Sequence, residues 1–124
     1  MILGVGTDLV QRARIEQSLE RWGERFARRI LSPQELAIFS KHHQPGAYLA
    51  RRFAGKEAAS KALGTGIGQI SWQEISIVND TAGSPVLELA GAALRLFETR
   101  GARHIHVSLA DEKEYALAFV IVSR

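Results

Sequence analysis

Three side chains in this sequence are spaced for chemistry: Asp8, Glu57 and Lys61. Glu57 and Lys61 stand four residues apart in the alanine-rich stretch RFAGKEAASKALGTGIG, so on a helix they share one face, about one turn apart. A carboxylate can hold a hard cation and an ammonium can meet a phosphate. Asp8 is the one acid in the apolar run ILGVGTDLV, and a lone acid in a buried strand needs a partner. Two carboxylates, a lysine and an adjoining glycine loop suit magnesium with a phosphorylated substrate, because magnesium commonly joins one or two carboxylates to substrate phosphates. Other readings stay open on spacing alone. Glu57 and Lys61 could form a surface pair, Asp8 could cap the following helix, and Gly64 could simply end one.

The loop after Lys61 is not a P-loop. That motif sets its glycines before the lysine at the head of a helix, whereas Lys61 precedes Gly64-Thr65-Gly66 at a helix tail. A helix C-terminus repels anions, so a phosphate here depends on Lys61, the metal and loop amides. His42-His43 and His104/His106 give a weak zinc signal, since no cysteine supports it and adjacent side chains point apart. Ser60 and Ser108 lack the acid and base neighbours of a nucleophile.

These residues need elements to hold them. Met1 to Leu9 reads as a strand in which Gly4 and Gly6 allow a bulge or a close backbone approach. Ile15, Leu19, Trp22, Phe26 and Ile30 recur at helical spacing beside a stripe of Arg14, Arg21, Arg25 and Arg28; Gly23 divides this into one helix to Trp22 and a shorter one to Leu31. Ser32-Pro33-Gln34-Glu35 starts a third helix to about His42 with a capping box. Gln44-Pro45-Gly46 breaks it, and a long helix runs from Ala47 to Leu63, with Gly64 as a left-handed cap. ISIV and VLELA around NDTAGSP read as antiparallel strands, Gly91 to Thr99 as a helix closed by Gly101. HIHVSL and YALAFVIV around Asp111-Glu112-Lys113 read as a long hairpin. Its last strand is apolar on both faces, which predicts a central place in a sheet. The expected fold is α+β: a single compact domain over residues 1–124, an antiparallel sheet packed against a long helix.

At 124 residues with 46% hydrophobic and 23% charged composition, the chain is sized for one globular domain. The absence of Cys excludes disulfides, thiolate metal sites and cysteine nucleophiles. No segment reads as a signal peptide or a membrane span. Between Gln11 and Leu31 six Arg face three Glu, so the whole net charge of +3 lies there. Interleaved acids and the lack of stacking aromatics favour an acidic protein partner over nucleic acid. A solvated helix face and a non-catalytic basic module binding RNA or an acidic protein are the competing readings.

Taken together, GVGTDLVQRARIE, RRFAGKEAASKALGTGIG, NDTAGSPVLEL and HVSLADEKEYALAFVIV resemble the holo-acyl carrier protein synthases, bacterial phosphopantetheinyl transferases, over nearly the whole chain and in the same order. The resemblance implies transfer of the 4′-phosphopantetheine arm of coenzyme A to a serine of apo acyl carrier protein in fatty acid biosynthesis, releasing adenosine 3′,5′-bisphosphate. It implies magnesium on Asp8 and Glu57, with Lys61 on the same phosphates aiding departure of the nucleotide, and a metal-bound water or a nearby carboxylate helping to deprotonate the serine. It further implies that Gly64, Thr65, Gly66 and Ile67 line the nucleotide pocket with Gly83-Ser84-Pro85, and that Arg14, Arg21, Arg25 and Arg28 dock the acidic carrier. A cytoplasmic homotrimer, with each active site completed by a neighbouring subunit and no nucleic-acid or membrane partner, belongs to the same implication. One departure stands out: where many members carry Ser-His or Thr-His, this chain has Ala110 and Asp111.

Overall fold

The computed structural model describes all 124 residues. In chain order the elements are β1 (Ile2–Gln11), α1 (Arg12–Trp22), α2 (Glu24–Ile30), α3 (Pro33–Phe39), α4 (Pro45–Ala62), a 3-10 turn (Trp72–Glu74), β2 (Ile75–Asn79), β3 (Pro85–Leu89), α5 (Gly91–Thr99), β4 (His104–Asp111) and β5 (Tyr115–Ser123). The strands form an antiparallel three-stranded sheet ordered β1-β5-β4 and a separate antiparallel hairpin of β2 and β3. The expected α+β domain is therefore present, with its strands divided between two sheets. No helix is long and apolar enough to cross a membrane.

Helix α4 is the axis of the molecule. Its 18 residues span about 27 Å at 1.5 Å per residue. Ala54, Ala58, Ala59 and Ala62 are all buried, and these small side chains let strands lie close to the helix backbone. Gly4 and Gly6 complete that fit: a Cβ at Gly4 would strike the Ala62 carbonyl, and one at Gly6 the Ala58 carbonyl. Close approach and bulge both occur, since the β1 register shifts between Ile2 and Gly4. On β5, Ala116, Ala118, Val120 and Val122 are buried while Tyr115, Leu117 and Phe119 on the alternate positions are exposed. The central position predicted for β5 is observed, yet one of its apolar faces is uncovered in the single chain.

Several boundaries differ from the expectations. Strand β1 runs on to Gln11 because its pairing continues to Gln11↔Tyr115 and Arg12 N–H donates to the Glu114 carbonyl at 2.7 Å. Helix α4 starts at Pro45 rather than Ala47, since proline suits a first helical turn whose N–H is free anyway. Helix α3 ends at Phe39, short of His42, and β4 takes in Ala110 and Asp111 by pairing with Leu117 and Ala116. Gly64 adopts φ +89 after the helix, as its left-handed cap role predicts.

The capping box at Ser32 and Glu35 forms, and Glu35 does more than cap. Its Oε1 accepts from the Ser32 N–H at 2.9 Å and meets Lys56 Nζ at 2.6 Å; its Oε2 accepts from the Ile77 N–H at 2.8 Å. Both Glu35 and Lys56 are fully buried. Breaking such a pair from one side costs about 3–5 kcal/mol, because the remaining charge is stranded without water.

Candidate active site

Asp8 and Lys61 meet where β1 crosses α4. Lys61 Nζ donates to the Asp8 carboxylate at 3.2 Å and to the Thr7 carbonyl at 3.0 Å. The Asp8 side chain is 17% exposed and that of Lys61 50%, so the carboxylate is sheltered while the ammonium reaches solvent. The crossing thus supplies the partner that a lone acid in β1 requires. It also removes two of the open readings. Asp8 does not cap α1, whose N-cap is Gln11 without a side-chain bond, and Lys61 pairs with Asp8 rather than forming a surface bridge with Glu57.

Glu57 lies one turn before Lys61 and lines a cleft of about 380 Å³ together with Asp8, Arg14, Ile15, Phe26 and Phe53. Burial, and then the negative charge of Asp8, push the Glu57 carboxyl above its ordinary 4.5; Lys61 opposes them. A carboxyl destabilised as an anion by a second carboxylate is a place where a cation is favoured. No group of three or more His, Cys, Asp or Glu side chains could hold a metal. Asp8 and Glu57 would offer a cation in this cleft two carboxylates, a set that suits magnesium completed by water and substrate oxygens rather than a cage built by protein alone. Contrary to the expectation that adjacent side chains point apart, His42 stacks on His43 at 4.9 Å; His104 stacks on His106 at 6.3 Å, and neither pair has an acid or thiolate to complete a zinc site.

The arginine segment continues from this cleft. A second cleft of about 330 Å³ is lined by Ser18, Trp22, Arg25, Phe26 and Arg29. Ser18 and Phe26 border both clefts, so the arginine surface and the carboxylate cleft are contiguous. Arg14 stands in the carboxylate cleft itself. Arg21 stacks over the half-exposed Trp22 at 4.9 Å, and Arg28 pairs along its own helix with Glu24 at 2.9 Å. Arg14, Arg21, Arg25 and Arg28 are all exposed.

The glycine loop leaves α4 directly after this site. Thr65 and Gly66 N–H groups both donate to the Ser60 carbonyl at 3.1 Å, so those amides are taken up in closing the helix. Gly66 and Gly68 hold φ +71 and +139 with open space where a Cβ would be. Thr65, Gly66 and Ile67 are partly exposed. Gly83 and Pro85 sit at the tip of the β2–β3 hairpin, in a turn built by Asp80, whose carboxylate accepts from Ala82 and Ser84 N–H at 2.9 Å. No hydrogen bond joins that turn to the glycine loop or to Lys61 within the chain.

Three features escaped sequence reasoning. Asp111 is paired with Arg51 of α4 at 3.0 Å, tying the β4–β5 turn to that helix. Arg52 is buried, stacks over Tyr48 at 4.4 Å and has an unpartnered Nε. Lys56 belongs to the buried pair with Glu35. Only the Ser32-x-x-Glu35 box gave a signal for any of them.

The model of the family described as the 4′-phosphopantetheinyl transferase superfamily matches residues 4–120. The chain is 53% identical over 122 residues to the holo-[acyl-carrier-protein] synthase of Vibrio parahaemolyticus, covering 98% of this chain and 97% of that one. The crystal structure of the Neisseria meningitidis holo-[acyl-carrier-protein] synthase superposes with a TM-score of 0.93 at 43% identity, covering all of both chains. The Helicobacter pylori enzyme, solved in complex with coenzyme A, superposes at 0.84 with 32% identity, covering 96% of this chain and 99% of that one.

Proposed function

This chain belongs to the 4′-phosphopantetheinyl transferase superfamily, and we propose that Asp8, Glu57 and Lys61 form the centre at which it works, with magnesium as the metal. Its reaction is transfer of the 4′-phosphopantetheine group from coenzyme A to a serine of apo acyl carrier protein, leaving adenosine 3′,5′-bisphosphate. The family match leaves the reading as a non-catalytic basic module without support.

The observation that carries the residue assignment is the crossing of β1 over α4, which sets two carboxylates and a lysine beside a cleft continuous with the arginine surface. Asp8 and Glu57 hold the ion. Bound magnesium supplies charge stabilisation at the pyrophosphate of coenzyme A. Lys61, half in solvent, turns from Asp8 to the phosphates and neutralises charge as the nucleotide leaves. Arg14, Arg21, Arg25 and Arg28 steer the acidic carrier so that its serine enters the adjoining cleft. The glycine loop from Gly64 to Ile67 forms one wall of the nucleotide pocket.

The opposite wall, the turn at Gly83 and Pro85, comes from a neighbouring subunit in a homotrimer. The uncovered sheet face supports that reading. Val5, Leu9, Tyr115, Leu117 and Phe119 are 40–63% exposed, and in-register pairs such as Leu9↔Leu117 join them into one apolar surface. Such a surface is covered by self-association in a small chain.

The division of labour has a direct kinetic test. Asp8→Asn or Glu57→Gln lowers magnesium-dependent turnover by about a hundredfold or more. Arg14→Glu with Arg21→Glu raises KM for the carrier about tenfold and leaves KM for coenzyme A unchanged. Equal loss of affinity for both substrates in the arginine variant contradicts the assignment.

A further inference from the structure

Lys56 immediately precedes Glu57, yet it faces the interior and is fully buried. An ammonium has three protons to donate, and each has an acceptor here: the Glu35 carboxylate at 2.6 Å, the Ile30 carbonyl at 2.6 Å and the Trp72 carbonyl at 3.0 Å. Lys56 is thus unavailable to any substrate. Burying a lysine and a glutamate is costly, and an apolar pair of similar volume fills the same space at least as well. What an apolar pair cannot do is grip two main-chain carbonyls on separate segments.

Those segments matter for the carrier. Ile30 is the last residue of α2, and its carbonyl is one of the groups a helix end leaves without an internal partner. A cation there also complements the helix dipole. With only 7 residues, α2 has little stability of its own and takes its placement from outside contacts. It carries Arg25 and Arg28, and its Phe26 borders both clefts. A second tie runs alongside: Gln73 Nε2 donates to the Arg28 carbonyl at 2.6 Å. Both ties anchor the C-terminal half of α2, one from α4 itself and one from the 3-10 turn that Lys56 also holds.

We propose that Lys56 is a positioning residue, fastening the end of arginine helix α2 to the turn of α4 that bears Glu57 and so holding the carrier-docking surface in register with the reaction centre. The inference rests on reading that surface as the carrier's. It assigns to the buried Glu35–Lys56 pair a part in carrier recognition rather than in stability alone.

The test compares Lys56→Met/Glu35→Gln and Gln73→Ala with wild type, using apo acyl carrier protein, coenzyme A and magnesium. The double variant removes the grip on Ile30 without stranding the charge of either partner of the Glu35–Lys56 pair; Gln73→Ala cuts the exposed tie and keeps the core intact. The expected result is a rise in KM for the carrier of about tenfold in the double variant and about threefold in Gln73→Ala, with KM for coenzyme A unchanged in both. A merely structural role lowers melting temperature and active fraction but leaves the carrier KM in place. If the double variant does not fold, Gln73→Ala decides. A carrier KM within about twofold of wild type overturns this inference alone, whereas a wild-type protein that leaves the carrier unmodified overturns the functional reading beneath it.

Discussion

At Glu57, burial and a neighbouring charge act in the same direction. Both disfavour its anion, and Lys61 offsets them only in part. The consequence for pH follows from the sign. A carboxyl raised above its ordinary 4.5 in the fold contributes stability below that value and loses it as pH rises through the raised one. Magnesium takes the ionised form, so its effect runs the other way. Thermal melts with and without magnesium should coincide near pH 4 and separate as pH rises past the raised Glu57 value, by about 2–3 kcal/mol at an ion concentration near 100 Kd. Glu57→Gln should erase the separation, and melts that separate equally in that variant would contradict the metal role. This site was legible because its residues obey local rules: an i, i+4 pair, and one acid in an apolar strand. The Glu35–Lys56 and Arg51–Asp111 pairs obey no local rule, since each joins elements far apart in sequence. A lysine beside a glutamate on a helix reads as solvated surface until packing shows which face is inward.

Among the elements, the contact of β1 with α4 decides whether a site exists at all. Gly4 and Gly6 on the strand meet Ala62 and Ala58 on the helix, and the absence of side chains brings Asp8 beside Glu57 and Lys61. Gly6→Ala places a methyl on the Ala58 carbonyl, which main chain cannot easily yield. Overpacking of this kind costs about 1–3 kcal/mol, read as a lower denaturation midpoint, and it should weaken magnesium binding as β1 is pushed outward. Unchanged stability would mean that the strand has slack the geometry does not provide. Most elements were readable from period and caps, including the capping box at Ser32 and the hairpin of β4 with β5. The pairing of β1 with β5 was not, because it joins the two ends of the chain and no short-range signal encodes such a partner. Nor did periodicity separate β2 and β3 into a sheet of their own.

For the whole molecule, the single chain has an arginine surface running into a carboxylate cleft and an uncovered apolar sheet face, with Leu9 common to the cleft and the sheet. The second feature is the physical reason for expecting subunits to meet there. Sedimentation should give a trimer for wild type, while Phe119→Asp, which sets a charge on that sheet face, should give monomers with little activity. A wild-type monomer at full activity would contradict the shared pocket. The composition hinted at this face, since β5 is apolar at every position from Tyr115 to Val122, although which face lacked cover became visible only once α4 was seen to occupy the other. The most direct test of the account as a whole is the intact mass of apo acyl carrier protein after incubation with this protein and coenzyme A, in parallel with magnesium and with a chelator. The account predicts a gain of one 4′-phosphopantetheine group on the carrier with magnesium and none with the chelator. A carrier of unchanged mass in both, or one modified equally in both, would contradict it.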